Sequence, residues 1–196
     1  MCACASTGVH GILPDDVGVP YLIGHSWVTR LKSCGILPYE IEFIDLPGGT
    51  FESVGDKLRR TEVRQDAGYV FVLLGGNDID NVPDTLAVNS VKDSCSNFAA
   101  LVRLKFPKSR IIFFQVEDRF MRGSLQENVD FKRKSNKFNK WLNTFGGKDK
   151  LFCLKGKEFF SLPFWYSHDG VHLNEAGYIK LASMILNYII GKMADC

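Results

Sequence analysis

No stretch of this chain stays apolar for eighteen residues, so a membrane-spanning helix is not expected. Charge of one sign is missing too. The 24 lysines and arginines stand against 22 aspartates and glutamates, and a net charge of +2 gives no case for nucleic acid on composition alone. The six cysteines (Cys2, Cys4, Cys34, Cys95, Cys153 and Cys196) contain no C-x-x-C pair, and a disulfide framework is not expected for a domain of this size. Cys34, Cys95 and Cys153 fall in or beside apolar patterns and read as small buried side chains. The first twenty residues lack the basic start and apolar run of a secretory leader. Together these absences favour a reducing, intracellular setting. Repeats, low-complexity tracts and internal linkers are absent as well.

What is present is ordinary globular material: 45% hydrophobic residues in 196, enough for one domain with one sizeable core. Residues 1–17 read as an irregular lead-in and 18–196 as the domain. Five short β-rich runs are expected as strands: 19–24, 41–46, 68–74, 110–115 and 151–154. Three of them are nearly continuous apolar runs, as in strands buried on both faces. Amphipathic stripes lie between and after them. Val88, Val91, Cys95, Phe98 and Val102 mark a helix in 84–105, and Phe131, Phe138, Trp141, Leu142 and Phe145 another in 129–146. Tyr178, Leu181, Ile185 and Ile189 mark a last helix in 174–191. Alternating β and α elements imply right-handed crossovers and a parallel sheet covered on both sides. The expected fold is α/β, a flavodoxin-like three-layer α/β/α sandwich around a five-stranded parallel sheet.

In such sheets ligand sites lie beyond the carboxyl ends of the strands. The first strand is followed by Gly24-His25-Ser26, the second by "DLPGGTF", the third by "GGNDID". The long loop after the fifth ends in "SHDGVHLN", with Asp169 and His172 just ahead of the last helix. The set supplies a hydroxyl, backbone amides open to close approach, a side-chain amide and an Asp/His pair. Acyl transfer needs such groups: a serine requires a base within hydrogen-bond reach, the base requires a partner that fixes its tautomer, and the oxyanion requires preorganised donors. A serine after a strand is, taken alone, more often a helix cap than a nucleophile.

The four blocks "IGHSW", "PGGTF", "LGGNDI" and "DGVHLN" resemble those of the SGNH (GDSL-like) hydrolases, in the right order over nearly the whole chain. The resemblance implies an esterase that acts on acetyl, acyl or thioester bonds without metal or cofactor. It implies Ser26 as nucleophile, His172 as general base and Asp169 as its orienting carboxylate. It further implies an oxyanion hole from the N–H groups of Ser26 and Gly49 and the side chain of Asn77, with Gly48 in place of Gly49 if the loop is offset by one. The implied partner is a small-molecule, carbohydrate or lipid ester. One position departs from the pattern: His25 stands where an aspartate is usual. The GHS form also resembles SGNH domains carried in retrotransposon polyproteins.

Other readings of single residues are weaker. His25 adjoins Ser26, but neighbouring side chains at a strand end point apart, so it is expected to support the loop rather than act as base. His168, Asp169 and His172 lack a zinc spacing, and Asp78 and Asp80 lack the rest of a calcium loop. Asp78 is expected to brace the third block. The basic run Lys132, Arg133, Lys134, Lys137 and Lys140 offers a surface for nucleic acid or anionic lipid, or a plain solvated helix face. It motivates a competing expectation, a non-catalytic binding module. Arg119 and Arg122 are candidates to meet an anionic head group, with the phenylalanines of 157–166 and Trp165 lining an apolar pocket. Oligomeric state is left open.

Overall fold

The computed structural model describes residues 18–37, 40–120, 125–145, 151–154, 160 and 162–191, so the expected lead-in 1–17 and Arg122 lie outside the described residues. The five strands are β1 (Tyr21–Gly24), β2 (Glu42–Asp45), β3 (Tyr69–Leu73), β4 (Arg110–Phe114) and β5 (Leu151–Leu154). They pair in the order β2-β1-β3-β4-β5, every pair parallel. The expected α/β fold with a five-stranded parallel sheet is the one observed. Direction along the sheet reverses between β1 and β3, and a crevice opens at that point beyond the strand ends.

Among the described residues the α-helices between the strands are α1 (Ser26–Cys34), α2 (Phe51–Arg60), α3 (Gly76–Asn81), α4 (Val88–Lys105) and α5 (Leu125–Phe145), and α6 (Glu175–Ile189) follows β5. Period-two alternation sends Tyr21, Ile23, Val70, Val72, Ile111 and Phe113 to one face of the sheet, where α2, α4 and α5 cover them. Leu22, Phe71, Leu73, Ile112 and Phe114 go to the other, under α1 and α6. Helix α4 begins later than the expected 84 because Asp84 is spent as a turn acceptor for the N–H groups of Leu86 and Ala87. Helix α6 begins at Glu175 because the Asn174 side chain caps it by accepting from Gly177 N–H.

The basic run on α5 is only partly a solvated face: Lys132, Arg133 and Lys140 are exposed, Lys137 is half-buried and Lys134 is buried. Lys134 is buried and its ammonium donates to the Val82 carbonyl at 2.8 Å, while Lys137 donates to Thr85 at 2.6 Å. Lys132 pairs with Asp118 and Arg133 with Asp130. Lys134 and Lys137 thus pin the 82–87 segment onto α5, and Lys132 ties the β4 loop to it, while Lys132, Arg133 and Lys140 stay exposed.

The end of β1 is packed too closely for any side chain. A Cβ on Gly24 would stand 2.5 Å from the Leu73 carbonyl oxygen and 2.6 Å from Val28 Cγ2. Gly24→Ala is expected to destabilise the fold by about 1–3 kcal/mol through this overpacking, read as a lowered urea midpoint at unchanged m-value.

Candidate active site

Residues from four strand ends converge on the crevice. Helix α1 starts directly after Gly24, with His25 as its N-cap and Ser26 as its first residue. The Ser26 hydroxyl lies 2.9 Å from His172 Nε2, and His172 Nδ1 lies 2.7 Å from Asp169 Oδ2. The structure brings these three residues together: hydroxyl, imidazole and carboxylate stand in one hydrogen-bonded row.

The carboxylate end of that row is built by its own loop. Asp169 Oδ1 accepts from the Ser167 hydroxyl and from the N–H groups of Val171 and His172, each at 2.9 Å. Partial burial works to raise the Asp169 carboxyl, but hydrogen bonds from the His172 backbone and ring, the Val171 N–H and the Ser167 hydroxyl overcome it, holding the group well below the usual carboxylate range. Asp169 is therefore an anion that takes a proton donor from His172 Nδ1 and leaves Nε2 to accept from Ser26. The loop is held against α1 by the Trp27 indole N–H, which donates to the Val171 carbonyl at 3.0 Å. Sequence reading passed over both Trp27 and Ser167. Their signal was adjacency alone, one residue after the serine and two before the aspartate. His168, in the same loop, is exposed.

The donors facing Ser26 differ in one place from expectation. Leu46-Pro47-Gly48-Gly49 forms a turn closed by Gly49 N–H to the Leu46 carbonyl at 2.8 Å, with Gly48 at φ 72. That is a type II turn, with Pro and Gly at its two central positions. The Gly49 N–H is thus consumed by the turn and cannot serve an oxyanion, which corrects the primary assignment. The open amide is that of Gly48, which lines the groove beside Ser26, Asn77 and His172. The Asn77 amide donates once to the Gly49 carbonyl at 3.0 Å, which fixes its orientation. Among the described residues, the N–H groups of Ser26 and Gly48 and the second N–H of Asn77 have no protein acceptor. Asp78, expected to brace this block, accepts from Phe51 N–H at the start of α2. Desolvation outweighs that hydrogen bond and pushes its carboxyl up to about 6.

His25 does not reach the serine. Its Nδ1 accepts from Trp27 N–H at 3.3 Å, so the ring caps α1 as a carboxylate in that position would. Desolvation, aided by the charges of Arg119 and His172, lowers its pKa to about 4. The ring is neutral, with its proton on Nε2. Arg119 is likewise committed: its guanidinium pairs with Asp80 and lies over the Phe131 ring at 4.4 Å, so it is not an open receptor for a head group.

No protein-family model and no curated protein sequence matches the chain. Solved structures do. A protein of Streptococcus pneumonia described as a platelet activating factor superposes with a TM-score of 0.73 at 19% identity, over 88% of this chain and 84% of that one. A GDSL-like lipase from Bacteroides thetaiotaomicron gives 0.69 at 16%, over 91% and 90%. A catalytic mutant of an acetylxylan esterase from Geobacillus stearothermophilus gives 0.65 at 14%, over 91% and 96%. This chain has the SGNH hydrolase fold. Within that fold the serine, histidine and aspartate described above stand at the ends of β1 and of the segment entering α6.

The cap role of His25 has a pH signature. Its folded-state pKa is depressed below 6.5, so as pH falls the unfolded chain takes up the proton first. The stability it contributes is intact above about pH 6.5 and is lost as pH falls toward 4. Asp78, with its raised pKa, contributes a slope of the opposite sign between 3.8 and about 6, so the His25 part is read against a variant. In His25→Asn the amide oxygen keeps the cap without titrating. Between pH 7 and 4.5 the wild type is expected to lose more stability than this variant, by up to about 1.4 kcal/mol per unit crossed, measured by urea unfolding at each pH.

Proposed function

We propose that this chain is a serine esterase that hydrolyses carboxylic esters through a covalent acyl-enzyme. The observation that carries the reading is the row Ser26 Oγ, His172 Nε2 and Asp169 Oδ2, at 2.9 and 2.7 Å. His172 Nε2 takes the hydroxyl proton as Ser26 Oγ attacks the ester carbonyl. Ionised Asp169 holds the ring in the accepting tautomer and stabilises the imidazolium. The carbonyl oxygen becomes an oxyanion that the N–H groups of Ser26 and Gly48 and the Asn77 amide can meet. Collapse of the tetrahedral intermediate breaks the ester C–O bond, and His172 gives its proton to the departing alcohol. A water molecule, deprotonated in turn by His172, attacks the acyl-enzyme, and the carboxylic acid leaves as Ser26 regains its proton. Neighbours named as a lipase and an acetylxylan esterase support ester hydrolysis as the reaction class.

The cavity behind Ser26 supports a short acyl group. Its volume is about 50 Å³, and its wall includes His25, Gly76, Phe114, Val116 and Phe131. Space of that size holds about three or four waters, which is the scale of an acetyl or propionyl group. The competing reading, a non-catalytic module, drew on His25 and the basic helix. Capping of α1 accounts for the first, and structural contacts to carbonyls account for two of the five cations of the second, Lys134 and Lys137.

Purified protein is expected to hydrolyse p-nitrophenyl acetate, and Ser26→Ala to remove both turnover and labelling by a fluorophosphonate probe. Equal rates for wild type and Ser26→Ala would sink the esterase reading. Asn77→Ala is expected to lower kcat by about 10²–10³-fold with little change in KM. Across p-nitrophenyl acetate, butyrate and octanoate, kcat/KM is expected to fall by about tenfold or more at each step. A flat or rising series would overturn the assignment of the cavity.

A further inference from the structure

The crevice is divided at Ser26, and its two sides differ in shape and charge. On one side is a small pocket of about 50 Å³. On the other is an open groove of about 570 Å³, lined by Thr29, Arg30, Pro47, Gly48, Asp169 and His172 among others. His172 and Asp169 border the groove and not the small pocket. This asymmetry decides which part of an ester goes where. The group that protonates the leaving oxygen must stand beside it, so the alcohol portion occupies the groove.

Arg30 stands on the wall of that groove. On α1 it lies four residues after Ser26, which puts both on one helix face about 5–6 Å apart at Cβ. The side chain is exposed, and no carboxylate pairs with it among the described residues. Lys32, two residues on, is different: it pairs with Asp45 at 3.7 Å. The tyrosine hydroxyl whose ionisation Arg30 influences, Tyr178, is kept neutral chiefly by burial, so it does not compensate the charge. The acidic group bordering the groove, Asp169, is engaged by four donors of its own loop. The uncommitted charge facing the alcohol portion is thus the guanidinium, a planar group suited to two-pronged recognition of carboxylate or phosphate.

We infer that Arg30 is a specificity-determining residue that reads an anionic group on the alcohol portion of the substrate, an assignment that rests on the esterase reading above. The substrate class is then a short-chain ester of a bulky alcohol bearing a carboxylate or a phosphate. Placement on the groove side means that the charge travels with the leaving group and not with the acyl-enzyme. Arg30 therefore acts on acylation and not on deacylation.

The test compares 4-acetoxybenzoate and 4-acetoxyphenyl phosphate with the neutral methyl ester of 4-acetoxybenzoate. The readout is the anionic-to-neutral ratio of kcat/KM. That ratio is expected to be about three- to tenfold higher in wild type than in Arg30→Gln, through KM, and to shrink as salt is added. Lys32→Gln serves as the charge control and is expected to keep the wild-type ratio. A larger effect for the phosphate identifies a phosphate-bearing alcohol, and a larger effect for the carboxylate identifies a carboxylate-bearing one. An equal ratio in wild type and Arg30→Gln, or an equal fall in Lys32→Gln, overturns the inference while leaving the esterase reading intact if the neutral ester is turned over. Titration of Ser26→Ala with 4-acetoxyphenyl phosphate reads the same contact without turnover. Binding that weakens when Arg30→Gln is added supports the inference, and no binding overturns it. Failure of wild type to hydrolyse all three esters strikes the esterase reading instead.

Discussion

One hydrogen bond, from the Trp27 indole to the Val171 carbonyl, joins the two segments on which the site depends. Ser26 belongs to the first turn of α1, a rigid element. His172 belongs to a loop, where side-chain position is set by whatever fixes the backbone. The indole supplies that fixing one residue from each partner, and its ring is 8% exposed, packed edge-on to Phe160 and Tyr166. Loss of the indole would leave the Val171 carbonyl without its partner and loosen the loop beside His172. Within the loop the Asp169 carboxylate does the corresponding work. It gathers three donors on one oxygen and the imidazole on the other, so the ring that faces Ser26 inherits the rigidity of the whole turn.

Much of this was legible in the sequence, because much of it obeys local periodicity. The five strands and the stripes of α4 and α6 follow from alternation at two and at three-to-four, and the observed boundaries shift by only a few residues. The serine, asparagine, aspartate and histidine were legible because each sits where a parallel sheet exposes its strand ends. What failed to show were features set by competition for hydrogen bonds. Gly48 and Gly49 are chemically identical, and which N–H remains open depends on the turn that Pro47 initiates. Helix α3 was missed because six mostly polar residues carry no periodic signal. Its reality comes from Asn77 and Asp78 bonding to the turn and helix opposite. Lys134 and Lys137 read as solvent-facing because their carbonyl acceptors lie 52 positions away.

His25, where the pattern the sequence resembles carries an aspartate, is a physically conservative exchange. A carboxylate there would offer an acceptor to the first turn of α1 and a negative charge near the helix N-terminus. Imidazole offers the acceptor without the charge. Arg119 and His172 stand close enough to disfavour a second cation, so neutrality at this position is set by its surroundings as well as by burial. The exchange keeps the cap and leaves the residue beside Ser26 without a charge.

The contact between Ser26 and His172 spans 146 positions of sequence. Contacts of that separation carry a large loop-closure cost, met only when the intervening chain is organised around them. A folding chain with β1 to β4 assembled holds a serine and its donors but no base. The segment carrying Asp169 and His172 follows β5, at the sheet edge, and is secured when α6 docks over β1 and β3. Under the proposed esterase reading, Ser26 gains its base only with completion of the fold, and a nascent or unravelled chain would be chemically silent toward the esters around it.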